Sequence, residues 1–216
     1  MNGTTIVNNL AGLLIITSLL LIAARSIARS AKLYALQSLV LVALFVALAA
    51  HFEAQELYLW AASAFITKVV LVPVILLKLL GAVHNDEDLP GLLSPAWLVL
   101  LAAAIVGLSC YAVSAVKIAV LADLKPALGV SLGHFLLGLL CILSQRNIIK
   151  QIFGYCLMEN GAHLTLALLA WRAPELVEIG IATDAIFAVL IMALLVRKIH
   201  RTLHTLDVRQ LTALKG

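Results

Sequence analysis

The chain has 216 residues, 63% hydrophobic and 12% charged, with a formal net charge of +4, whereas ordinary soluble domains carry roughly 45–50% and about 25%. The excess marks a membrane protein. The Lys and Arg residues gather at the ends of apolar runs and form no patch interleaved with aromatics, so the positive balance reads as topology and argues against nucleic-acid binding.

A spanning helix needs about 20 mostly apolar residues. Seven runs qualify or nearly do, at roughly 5–24, 33–52, 57–80, 95–116, 126–144, 148–170 and 177–198. They are continuous rather than alternating in short strips, which favours helices over barrel strands. The predicted fold class is all-α, a polytopic transmembrane helical bundle of about seven spans. The opening MNGTT lacks a positive n-region and the first basic residues follow the apolar run, so the first span is expected to stay uncleaved. Assigning alternate loops to opposite sides puts eleven Lys and Arg, including Arg25, Lys78, Arg146, Lys150 and Arg197, against three, Lys117, Lys125 and Arg172. That bias places the C-terminus in the cytoplasm and the N-terminus outside.

The longest connection, GAVHNDEDLPGLLSP, holds Asp86, Glu87 and Asp88 with Pro90, Gly91 and Pro95. It reads as a turn-rich cytoplasmic loop, a solvated hinge rather than a docking site. It divides the chain into a three-span extension, residues 1–94, and a four-span part, 95–216. Cys110, Cys141 and Cys156 lie in apolar segments without ligand or redox spacing and read as small buried hydrophobes. No nucleophile–base pair, phosphate loop, haem-ligand pair or iron–sulfur ligand set is present. Neither catalytic residues nor metal ligands are expected in this chain.

Five ionisable groups fall within a turn or two of the middle of the bilayer: Lys68 in WAASAFITKVVLVPVILL, His134 in LGVSLGHFLLGLL, Glu159 and His163 in FGYCLMENGAHL, and Asp184 in EIGIATDAIFAVL. A central Asp or Lys costs about 2.5–3.5 kcal/mol on insertion scales, so such groups normally face protein or trapped water and mark function. Two readings stand. The charges pair to fix helix register, or they handle protons, since burial moves carboxylate and lysine pKa values toward neutrality and buried pairs stabilise poorly. Cys156, Glu159 and His163 share one helix face, which would let Glu159 and His163 exchange a proton. His163 also fits a hydrogen-bonded core histidine, and His134 a packing histidine in a Gly-rich span. Pro73, five residues after Lys68, is expected to kink the third helix beside the buried charge. Gly129, Gly133, Gly138, Gly154 and Gly161 allow close helix approach.

The run FLLGLLCILSQRNIIKQIFGYCLMENGAHL resembles the first two helices of the K subunit of NADH–quinone oxidoreductase and the C subunit of multisubunit sodium/proton antiporters, through Phe135, Gly138, the Arg146-Asn147 turn, Gly154, Met158, Asn160 and Leu164. TDAIFAVLIMALLVRKIHR resembles that family's third helix, with Asp184 in the place of its embedded glutamate. The likeness runs from about residue 126 to the C-terminus, a three-helix module. With its front spans, including SAFITKVVLVP, the whole chain resembles membrane subunits of group 4 nickel–iron hydrogenase complexes of the formate hydrogenlyase type. One departure stands out. Where the K family has its first buried glutamate this chain has Cys156, and the carboxylate comes three residues later as Glu159.

The resemblance implies a multi-pass subunit of the bacterial inner membrane, without a cofactor of its own, beside antiporter-like membrane subunits and a peripheral hydrogenase arm that holds the nickel–iron and iron–sulfur centres. It implies a proton path through Glu159 and Asp184, with Lys68, His163 and His134 as further stations and Cys156, Asn160, Arg146 and Pro73 in support. A structural scaffold, or a quinone- or lipid-binding anchor, is the alternative.

Overall fold

A computed structural model describes residues 3–80, 89, 91–117, 119–173 and 175–211. The acidic cluster Asp86, Glu87 and Asp88, with Pro90 and Lys215, lies outside the described residues. The described chain is helical, with one isolated bridge between Asn147 and Asp207.

The described residues form seven long helical stretches, consistent with about seven crossings. They are α1 (Gly3–Ala23), α2 (Ile27–Phe52), a third built from α3 (Glu56–Ala64), a π-helical segment (Phe65–Leu71) and α4 (Val72–Leu80), then α5 (Pro95–Ser114), α6 (Lys125–Ser144), α7 (Ile148–Leu169) and α8 (Glu175–Leu203). A 3-10 segment, Ala119–Leu124, leads into α6, and a short α9 (Val208–Leu211) follows α8. Six crossings are long and apolar enough to cross a membrane by composition alone. The seventh, α7, is 22 residues long, enough to span, but Lys150, Glu159, Asn160 and His163 dilute its hydropathy.

Capping chemistry sets several ends. The Ser26 side chain accepts from the Arg29 amide, so α2 starts well before its apolar run, with Arg29 and Lys32 in its first turns. Ser94 caps α5 ahead of Pro95, where a missing N–H costs nothing. Asn147 accepts from the Ile149 amide at 2.9 Å and starts α7.

Just before Pro73 the third crossing leaves α-helical geometry. A proline removes one amide and crowds the preceding turn. Here the turn widens into the π-helical segment, whose last bond runs from the Val72 amide to the Thr67 carbonyl. Lys68 is the middle residue of that segment and is buried.

The tightest packing joins α6 and α7. A Cβ on Gly138 would lie 2.7 Å from Gly154 O and from the Met158 Cα, and one on Gly161 would lie 2.7 Å from the Phe135 Cα. These are backbone atoms that cannot swing aside. Replacing Gly138 by Ala should therefore cost on the order of 1–3 kcal/mol through overpacking. Gly107, with nothing near its would-be Cβ, is the control: thermal unfolding in detergent should drop for G138A and stay unchanged for G107A.

Candidate functional site: a buried polar layer

Two apolar clusters fill the bundle, and a polar layer separates them. One cluster includes Leu14, Leu41, Ala64, Val130 and Leu164. The other includes Leu21, Tyr34, Val72, Leu137 and Leu157. Between these, one residue or pair per helix, lie Ser18 of α1, Gln37 and Ser38 of α2, Lys68 of the π-helical segment, His134 of α6 and Asn160 of α7, all buried. Such a layer persists in a membrane core only when its donors and acceptors find one another.

They do so in a continuous row. Lys68 Nζ donates to Glu159 Oε1 at 2.5 Å and to Asn160 Oδ1 at 2.9 Å. Asn160 Nδ2 donates to Gln37 Oε1 at 2.8 Å and reaches Ser38 Oγ at 3.4 Å. Gln37 Nε2 lies 3.0 Å from His134 Nε2, and His134 Nδ1 lies 2.9 Å from Ser18 Oγ. The Ser18 hydroxyl donates to the Leu14 carbonyl at 2.6 Å. The row crosses five of the seven transmembrane helices, with Lys68 at one end and α1 at the other. Tyr34 lies against it, within interaction range of Asn160, Ser38, Cys156 and Glu159.

The remaining candidates divide. Cys156 is fully buried among the second apolar cluster. His163 is buried too, its ring 4.8 Å from that of Phe45 and 5.4 Å from that of Trp60. Asp184 does not face the interior of the chain, whereas embedded charges are normally expected to face protein or trapped water. Ala185, Val189 and Ala193 turn the buried face of α8 inward, while Asp184 is exposed on the outer face with Phe187 and Ile191. The chain itself does not cover it. Tyr155, part-buried on α7, lies within electrostatic reach of both Glu159 and Asp184.

Arg146 stands apart, at the start of α7. It forms a two-pronged ion pair with Asp207, and the Val208 amide donates to the Arg146 carbonyl at 2.9 Å. This pair clamps the segment after α8 onto the α6–α7 turn. Sequence reasoning missed Gln37, Ser38 and Ser18. Gln37 carries the readable signal, a lone amide inside ALQSLVLVALF.

Residues 126–216 match the family model described as NADH-ubiquinone/plastoquinone oxidoreductase chain 4L. Over all 216 residues, and the full length of both chains, the sequence is 61% identical to hydrogenase-4 component E of Escherichia coli K12, and equally to that of Shigella flexneri. The chain belongs to the hydrogenase-4 component E family. An uncharacterised Mycobacterium tuberculosis protein is 28% identical over 80 residues, covering 37% of this chain and 36% of its own length. No solved structure matches. The component E match spans α1 to α9, so it includes the front helices that supply Ser18, Gln37 and Lys68 to the layer; the chain 4L match covers only α6 onward.

Two consequences are measurable. Removing one member of a buried ion pair strands the other and typically costs about 3–5 kcal/mol. Thus K68M or E159Q alone should lower the unfolding temperature strongly, and the K68M/E159Q double variant should recover part of the loss. For the clamp, the Arg146 hydrogen bonds and charge hold Asp207 below the usual carboxylate range. Because the folded value is depressed, its contribution is complete above the unfolded value, about 3.9, and fades as pH falls through the lower folded value. Cleavage of the tail after α8 should rise at neutral pH in R146A, but in the unaltered protein only in stronger acid.

Proposed function

We propose that this chain is a non-catalytic membrane subunit of a hydrogenase complex of the formate hydrogenlyase type, contributing a mid-membrane segment of a proton path. The Lys68–Glu159 ion pair carries the reading. It is a short contact between a buried ammonium and a part-buried carboxylate, in a layer where two apolar residues would pack at lower cost. A proton passing from Lys68 Nζ to Glu159 Oε1 turns the ion pair into a neutral pair without any large movement. That makes the site responsive to charge placed beside it.

Asp184 gives the path a way out of the subunit. A carboxylate left against lipid is costly, and its place on the outer face of α8 suits a station shared with a neighbouring membrane subunit, such as an antiporter-like one. Tyr155 lies within electrostatic reach of both it and Glu159. His163, one turn from Glu159, is a local relay in this reading, and His134 closes the far end of the row. Among the described residues, no group of three His, Cys, Asp or Glu side chains is placed to hold a metal ion. The nickel–iron and iron–sulfur centres of such a complex would lie in partner subunits. The bacterial inner membrane follows from the same reading.

A lipid- or quinone-binding anchor is the second reading, favoured by a cleft of about 530 Å³ lined by Arg25, Ser94, Gln145 and Lys150 among apolar side chains. Proton translocation in vesicles separates the two. E159Q and D184N should each reduce hydrogenase-coupled acidification at least several-fold while the complex still assembles. Full translocation in both variants would defeat the proton-path assignment and leave the anchor.

A further inference from the structure

The polar row has a direction, and its chemistry fixes that direction without reference to how the amides are drawn. A charged lysine can only donate, so the Asn160 atom facing Lys68 at 2.9 Å is its oxygen. The Asn160 nitrogen therefore faces Gln37, whose oxygen must accept. The Gln37 nitrogen is left facing His134 at 3.0 Å. His134 Nε2 must then be bare and accept, which puts the ring hydrogen on Nδ1, donating to Ser18 Oγ at 2.9 Å. Ser18 passes the same polarity to the Leu14 carbonyl. Every member is satisfied in one sense only.

We propose that Asn160 and Gln37 form an amide latch that holds His134 in its neutral Nδ1–H form for as long as Lys68 is charged. The two are positioning residues, because a carboxamide does not hand a proton along the row. The latch transmits orientation instead. When Lys68 gives a proton to Glu159, its Nζ keeps two N–H donors and gains one lone pair, so it no longer dictates which Asn160 atom faces it. Asn160 and Gln37 are then free to reverse together, presenting a Gln37 oxygen to His134 Nε2. The ring hydrogen passes from Nδ1 to Nε2 by exchange with water, and Ser18 turns its hydroxyl to the bare Nδ1, so His134 changes tautomer and stays neutral. The proton that left Lys68 rests on Glu159, and only orientation crosses the amides.

The groups that bear on His134 agree with this. Lys68 acts on it electrostatically, α1 offers only Ser18 and α2 only Gln37 as direct partners, and α5 brings Cys110 against Gly129, more than a turn away on α6. Glu159, Tyr34 and Cys156 are the other titratable groups in the neighbourhood, and they lie on the Lys68 side of the amides. A charge change at Glu159 has the latch as its hydrogen-bonded route to His134.

The inference deepens the proton-path reading and rests on it, but its test does not use pumping. Histidine labelled with 15N is incorporated into the full chain within its complex in lipid bilayers, and His134 is assigned by difference from H134Q. At neutral pH the unaltered protein should show a bare Nε2 and a protonated Nδ1. In K68M/E159Q, which is neutral at the Lys68 end, Asn160 is released and a protonated Nε2 signal should appear. A protonated Nε2 in the unaltered protein, or a His134 spectrum unchanged in the double variant, overturns the latch. A correct His134 spectrum together with unimpaired acidification in E159Q and D184N would keep the latch and remove the proton path.

Discussion

One ammonium group sets the terms for the bundle. Lys68 is buried inside the bundle, so the protein has to provide both countercharge and acceptors. Glu159 supplies the charge and Asn160 an acceptor, but an asparagine used this way leaves its own nitrogen to be satisfied. Each partner in turn hands the demand onward, to Gln37, His134 and Ser18, until a backbone carbonyl ends it. The helices must hold these side chains at one level within a few tenths of an ångström. The near-contact of α6 and α7 at Gly161 and Phe135, neighbours of Asn160 and His134 in sequence, brings that pair of helices close enough for both to meet α2.

The π-helical segment is the local device that aims Lys68 into the layer. A widened turn carries one more residue than the α-helix would and rotates everything after it. Pro73 lies just beyond, where its missing amide would otherwise break the ladder. The insertion lets Lys68 point at α7 while Val72 and Leu76, one and two turns on, remain in the second apolar cluster. Without it, a single α-helical period would have to satisfy both demands. Backbone irregularity in a membrane survives where protein surrounds it, and here α2 and α8 flank the segment.

Much of this was legible in the sequence because a bilayer allows few solutions. Long apolar runs must be helices, and the cost of a buried charge made Lys68, Glu159 and Asp184 conspicuous before any coordinates. The order of partners was not legible. Lys68 and Glu159 are 91 residues apart, and no periodicity pairs groups on different helices. Nor does hydropathy distinguish Gln37, which spans the gap between Asn160 and His134, from an amide that simply packs. The outward turn of Asp184 was hidden for a related reason. Its neighbours on α8 are apolar on both faces, since lipid and protein core reward the same side chains, so the sequence pattern cannot say which face is which.

The placing of a thiol at position 156 and the acid at 159 becomes intelligible at this point. Cys156 is fully buried in the second apolar cluster, which also holds Phe153, Leu157 and Leu76, while the direct contact of Lys68 goes to Glu159. A thiol fits there as a small apolar group. One turn on, Glu159 meets an ammonium that belongs to the front helices and is absent from residues 126–216. The three-helix module alone would leave Glu159 stranded. The front helices alone would leave Lys68 stranded. Each half therefore carries a charge that only the other neutralises, which ties the extension and the module together more specifically than apolar packing between lipid-adapted helices would.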